Sequence, residues 1–90
     1  MYLHIGNDII LKKKNVLFLL DYKNLKNNKV FKKFFEKIDK KSIMDISGQN
    51  PKSIVITKEN DEIKGYISNI SSYTLGKRKF LQIKNNTWFF

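Results

Sequence analysis

Two basic triplets, Lys12-Lys13-Lys14 and Lys77-Arg78-Lys79, are the residues of this chain best suited to meeting a charged partner. Ammonium groups projected from a turn can each approach a phosphate oxygen, and they bind it as point charges. Arg78 is the sole arginine beside seventeen lysines. Arginine reads guanine edges through two parallel hydrogen bonds, so a set dominated by lysine predicts a grip on a nucleic-acid backbone with little reading of bases. The overall balance agrees: 18 basic residues against 8 acidic ones leave a formal net charge of +10 on 90 residues. A polyanion is the first partner this implies, nucleic acid ahead of a membrane surface. Plentiful Lys, Asn and Ile also fit a solvated coat set by AT-rich codons, which accounts less well for the scarcity of acids.

Catalytic chemistry finds little to work with. His4 is the only histidine, and between Leu3 and Ile5 it reads as a packed or hydrogen-bonded strand residue. No carboxylate pair has a spacing suited to acid/base work, and Ser71, Ser72 and Thr74 lack an obvious activating base. The four glycines are dispersed, so no phosphate-cradling loop is predicted. The absence of cysteine removes disulfides and thiolate metal sites and is compatible with a reducing cytoplasm. The expectation is a protein with no catalytic residues, no cofactor and no metal.

The elements that must position the lysines follow from periodicity. Hydrophobic residues at 41% and aromatics at 13% suffice for one small core. Tyr2–Ile5 is a strand candidate closed by Gly6-Asn7-Asp8, and Ile9–Leu11 begins a second strand that runs into the lysine triplet. Val16–Leu20 is a third, apolar at successive positions, so it needs cover on both faces. The chain's own helix is one cover, and a second subunit is the candidate for the other.

From Asn27 to Lys41 the period becomes helical, with Val30, Phe31, Phe34, Phe35 and Ile38 in one wide stripe. Asn27 or Asn28 can cap its start, and Lys40-Lys41 suits its negative end. The opposite face, Lys29, Lys32, Lys33, Lys37 and Lys40 with Glu36, reads first as solvated surface and second as phosphate contact. Ile43–Ile46 is a fourth strand, and Ser47–Pro51 a loop that Pro51 restricts. Lys52–Thr57 and Ile63–Ser68 form a hairpin across an acidic turn, with Gly65 marking a bulge. Ser71-Ser72 caps a short helix that Gly76 stops. The predicted fold is α+β: a small, mostly antiparallel sheet of five or six strands, one main amphipathic helix and a short C-terminal one.

The opening Met1-Tyr2-Leu3-His4-Ile5-Gly6 has no basic n-region and no long apolar stretch, a pattern that predicts no signal peptide. The longest apolar run, Val16–Leu20, falls far short of the roughly 20 residues a membrane span needs. A soluble, cytoplasmic protein is expected.

Three blocks carry a resemblance. Tyr2-Leu3-His4-Ile5-Gly6-Asn7-Asp8 looks like the opening of the RemB-type extracellular matrix regulatory proteins. Pro51-Lys52-Ser53-Ile54-Val55-Ile56-Thr57 resembles their central strand, and Ser71-Ser72-Tyr73-Thr74-Leu75-Gly76-Lys77-Arg78 their C-terminal segment. The blocks keep the family's order and approximate spacing over residues 1–80, a single domain followed by an apolar extension, 81–90. The resemblance implies a cytoplasmic protein of Gram-positive bacteria linked to expression of biofilm matrix genes. Its sister branch, RemA, is a DNA-binding transcriptional regulator that assembles into rings and resembles LytTR-type DNA-binding domains. A ring would set many weak phosphate sites in a row, so that avidity replaces single-site affinity.

One departure matters for the site. The RemA branch has an Arg-rich loop ahead of its central strand, whereas Ser47-Gly48-Gln49-Asn50-Pro51-Lys52 holds one basic residue. Gln49 and Asn50 retain the chemistry to contact backbone or an adenine edge, beside Lys52. Lys12, Lys13 and Lys14 are the preferred phosphate contacts, their alternative role being protection of an edge strand. Lys77 and Arg78 are the other candidates, with compensation of a helix dipole as the alternative. The function expected is that of a DNA-binding regulator of matrix genes, acting as a homo-oligomeric ring on duplex phosphates. The alternative is an oligomeric regulator that binds another regulatory protein and not DNA. A membrane-surface role through Trp88-Phe89-Phe90 near Lys84 is the third possibility and is not preferred.

Overall fold

The computed structural model describes residues 2–79, 82–84 and 87–88. Strands β1 (Tyr2–Gly6) and β2 (Ile9–Lys12) pair antiparallel. Their turn residues Asn7 and Asp8 take φ of +48° and +60°, the mirror-image geometry that matches strand twist and that Asn and Asp tolerate. A single 3-10 turn, Lys13–Asn15, leads into β3 (Val16–Asp21). Two helices follow, α1 (Tyr22–Asn27) and α2 (Lys29–Glu36), then a 3-10 turn at Lys40–Ser42 and β4 (Ile43–Asp45). Strands β5 (Ser53–Glu59) and β6 (Glu62–Ser68) form a second hairpin, again turning on Asn-Asp: Asn60 and Asp61 take φ of +52° and +65°. Helix α3 (Ser72–Lys79) precedes the short strands β7 (Gln82–Lys84) and β8 (Thr87–Trp88).

The main sheet has the order β3-β5-β6-β4, antiparallel except for the parallel pairing of β4 with β6. Alternation along β5 sends Val55 to one face and Ile54 and Ile56 to the other. On the first face Val16, Leu19, Val55 and Tyr66 pack with Leu3, Ile5, Leu11, Ile46 and Leu75, so the β1-β2 hairpin and α3 form its lid. On the second face Ile54 and Ile56 meet Ile38, with Leu17, Phe18, Leu20, Tyr22, Leu25 and Phe35 packed around them. The chain's own elements thus cover β3 on both sides. The second subunit expected there is not needed, because the hairpin lies across the sheet instead of extending it. That placement divides the strands expected in one sheet between a two-stranded and a four-stranded sheet, and β7 with β8 brings the described residues to eight strands in three sheets, not five or six in one.

Three local expectations are corrected. The helix predicted over 27–41 is shorter, α2 taking only Lys29–Glu36, and α1 precedes it where no helix was expected. Asn28, with extended φ −120° and ψ 107°, ends α1 and caps α2 by accepting from Phe31 N at 3.1 Å. Since α2 ends at Glu36, Lys40-Lys41 lies in the later 3-10 turn, which Asp39 caps through Lys41 N at 3.0 Å. Gly65 marks no bulge: it pairs with Ile56 in regular register, and a Cβ there would meet the Phe35 ring at 3.4 Å. The register shifts fall between His4 and Gly6, between Val16 and Phe18 and between Gln82 and Lys84. Gly76 does not stop α3, which runs on to Lys79 with Gly76 outside the left-handed region. Ser71 is the cap, its Oγ accepting from Thr74 N at 3.1 Å. Of the extension 81–90, Leu81, Phe89 and Phe90 lie outside the described residues, as does Phe80 before it.

Candidate nucleic-acid interface

Lys12 closes β2, and the 3-10 turn immediately after it carries Lys13 and Lys14. Lys12 and Lys14 are exposed, while Lys13 is half-buried. Lys13 Nζ donates to the Arg78 carbonyl at 2.9 Å, in the last turn of α3, where unpaired carbonyls and the dipole favour a cation. Arg78 Nη1 in turn donates to the His4 carbonyl at 3.0 Å. Two basic triplets separated by 65 residues therefore meet at one end of the molecule, joined through β1. Lys77 is committed differently, its Nζ lying 4.7 Å from the centroid of the Tyr73 ring.

Register adds a residue that the charge pattern did not single out. Tyr2 pairs across the hairpin with Lys12, and the exposed outer face there carries Tyr2, His4, Ile10 and Lys12. A groove of about 360 Å³ is lined by Tyr2, Lys12, Lys13 and Lys14. The two-residue turn at Asn7-Asp8 would by itself set Tyr2 opposite Lys13, and the bulge between His4 and Gly6 shifts the register by one to bring Lys12 there. Among the described residues the one ion pair joins Lys64 to Glu59 at 3.9 Å; Glu59 also lines an adjoining groove of about 420 Å³ with Tyr2, Lys12 and Lys14, without forming an ion pair to either lysine.

The loop candidates lie elsewhere. Val16, just after the lysine turn, pairs with Thr57, whereas Ser53, just after the loop, pairs with Asp21. The two groups are therefore at opposite ends of β3, separated by roughly 15 Å of strand. Lys52 N donates to Ser68 O at 2.9 Å, and Lys52 O accepts from Tyr22 N at 3.0 Å, which fixes the backbone at this end. Gln49, Asn50 and Lys52 are exposed, and Gly48 and Gln49 both take positive φ, 59° and 72°. Asp45 shapes this loop by accepting from Ser47 Oγ at 2.6 Å and Ser47 N at 2.9 Å. Those two hydrogen bonds hold its carboxyl below the ordinary carboxylate value.

The arrangement gathers cationic groups at one end of the molecule. His4 presents its ring to solvent, and no group of three or more His, Asp or Glu residues among those described could hold a metal ion. No described helix is long and apolar enough to cross a membrane. Lys12, Lys13, Lys14 and Arg78 form one basic end; Gln49, Asn50 and Lys52 do not join it.

The chain is 33% identical over 78 residues to the extracellular matrix regulatory protein B of Bacillus subtilis (strain 168), an alignment spanning 87% of this chain and 89% of that protein. No family model matches the chain, and no solved structure does.

Proposed function

This chain belongs to the RemB-type extracellular matrix regulatory proteins, and on that premise we propose that it is a cytoplasmic, non-enzymatic regulator of matrix-gene expression that binds duplex DNA. The observation that carries the reading is the convergence of Lys12, Lys13, Lys14 and Arg78 at one end, with Lys12 and Lys14 exposed. Lys13 and Arg78 spend a hydrogen bond each on backbone carbonyls, so they brace the turn and add to its field. Lys12 and Lys14 are the direct phosphate contacts. Two ammonium groups per copy make a weak site, and a homo-oligomeric ring would turn several such sites into useful avidity. The implied kinship with LytTR-type domains belongs to the same proposal and rests on the family resemblance.

Fluorescence anisotropy on a duplex of about 20 base pairs, between about 50 and 200 mM salt, tests this. Each phosphate contact adds about 0.9 to the slope of log affinity against log salt, so Lys12→Ala with Lys14→Ala should lower it by about 1.8 per copy engaged. An unchanged slope would remove these lysines from the interface. Light scattering on the eluting particle, with and without duplex, reads the assembly directly; a monomer in both conditions would refute the ring.

A further inference from the structure

We propose that the outer face of α2 is a docking surface for an acidic amphipathic helix of a partner protein. Helix α2 carries more apolar surface than the sheet can use. Phe31 and Phe35 turn toward the sheet and are half-buried, yet Val30 keeps 80% of its surface exposed and Phe34 keeps 37%. Val30 and Phe34 are one turn apart and form a ridge. At the ridge's end, beside Phe34, the surface opens into a groove of about 370 Å³ whose apolar wall is Phe34, Ile38 and Ile63 and whose rim carries Asp39 and Glu62, so a partner's carboxylates would face the lysine row along α2 and not this groove.

The surroundings select the occupant. Lys29, Lys33 and Lys37 form the neighbouring row of the helix surface, all exposed, and Lys32 flanks it; Glu36 is the only acid in α2. A helix that meets this face needs apolar side chains at four-residue spacing for the ridge and carboxylates beside them for the lysines. Duplex phosphates would satisfy the lysines and leave Val30 and Phe34 in contact with nothing suited to them. A second copy offers the wrong charge, because α1 and α3 contain no acidic residue and α2 only Glu36. The face is also remote from the lysine turn: α1 and α2 cover the side of the sheet opposite the hairpin and α3. This inference therefore goes beyond the DNA reading and stands or falls separately from it.

The probe is a synthetic helical peptide of about 14 residues, Leu at every third or fourth position and Glu flanking, with a scrambled peptide of the same composition as control. The full chain should bind the ordered peptide about tenfold or more tightly than the scrambled one. Val30→Glu, at so exposed a position, should leave the thermal melt in place and weaken peptide binding about tenfold or more, as should Lys29→Glu with Lys33→Glu. Lys12→Ala with Lys14→Ala should not affect the peptide, and Val30→Glu should not affect duplex affinity. Equal binding of both peptides would reduce the face to a charge effect and overturn the proposal. So would unchanged peptide binding by Val30→Glu, loss of duplex binding in that variant, or an oligomer that Val30→Glu dissolves.

Discussion

Leu75 on α3 has no exposed surface, whereas Val30 on α2 keeps most of its own, although both helices lie on the same four-stranded sheet. The difference runs through their surroundings. Under the hairpin and α3, Leu3, Ile5, Val16 and Val55 are all fully enclosed, and the buried hydroxyl of Ser68 ties the hairpin down by donating to Ile5 O at 2.6 Å. Under α1 and α2 only Ile38, Ile54 and Ile56 are buried, and the aromatic residues around them stay half-open, with Phe18 and Phe34 rings tilted at 5.7 Å between centroids. One face is closed; the other holds its helices while leaving apolar surface exposed.

The comparison breaks or holds on four measurements. Leu75→Ala should cost about 3 kcal/mol in chemical denaturation, against about 1 kcal/mol for Leu25→Ala on the half-open side. Equal costs would mean the faces do not differ energetically. Gly6→Ala should come next, at about 1–3 kcal/mol, because φ there is +109° and the new Cβ would lie 2.9 Å from Asn69 Oδ1. Its counterpart Gly65→Ala, whose Cβ meets the Phe35 ring at 3.4 Å and the Ile56 and Ile43 side chains at 3.6 and 3.8 Å, should fall within about 1 kcal/mol of neutral. Asn28→Ala removes the acceptor for Phe31 N and should cost about 1 kcal/mol, with the faster amide exchange confined to α2.

Titration gives the subtlest contrast. Burial, and then the hydrogen bond to Glu59 at 3.0 Å, push the Tyr66 hydroxyl up to about 12 from its ordinary 10. The folded state therefore favours the neutral phenol: its contribution is complete below pH 10 and is lost as pH rises through about 12. Absorbance of phenolate should show a late component that Tyr66→Phe removes. Asp45 runs the other way. Its carboxyl is depressed, so its contribution is present above the ordinary value of 3.8 and fades as pH falls through the lowered one. Asp45→Asn should flatten that acid limb.

Much of this was legible in the residues. Gly6-Asn7-Asp8 and the acidic turn after Thr57 announced both hairpins, because few residue types tolerate positive φ. Ser71 announced the cap of α3. Asn28 was legible as a cap, but the end of α2 at Glu36 was hidden, since the spacing of Val30, Phe31, Phe34 and Phe35 continues past it to Ile38, and so was α1, which offers only Tyr22 and Leu25 as apolar markers. For the site, charge identified the two triplets, but their meeting depends on a contact across 65 residues. Gln49, Asn50 and Lys52 drew attention by preceding the central strand. Only the antiparallel pairing of β3 with β5 sends them to the far end.

Both hairpins reverse on the same dipeptide, Asn7-Asp8 and Asn60-Asp61, with an aspartate held left-handed in each. Aspartate tolerates that conformation less readily than glycine, so Asp8→Gly and Asp61→Gly offer matched thermostats of up to about 1 kcal/mol each. Either could warm or steady the scaffold while leaving the lysine end and the helix ridge chemically untouched.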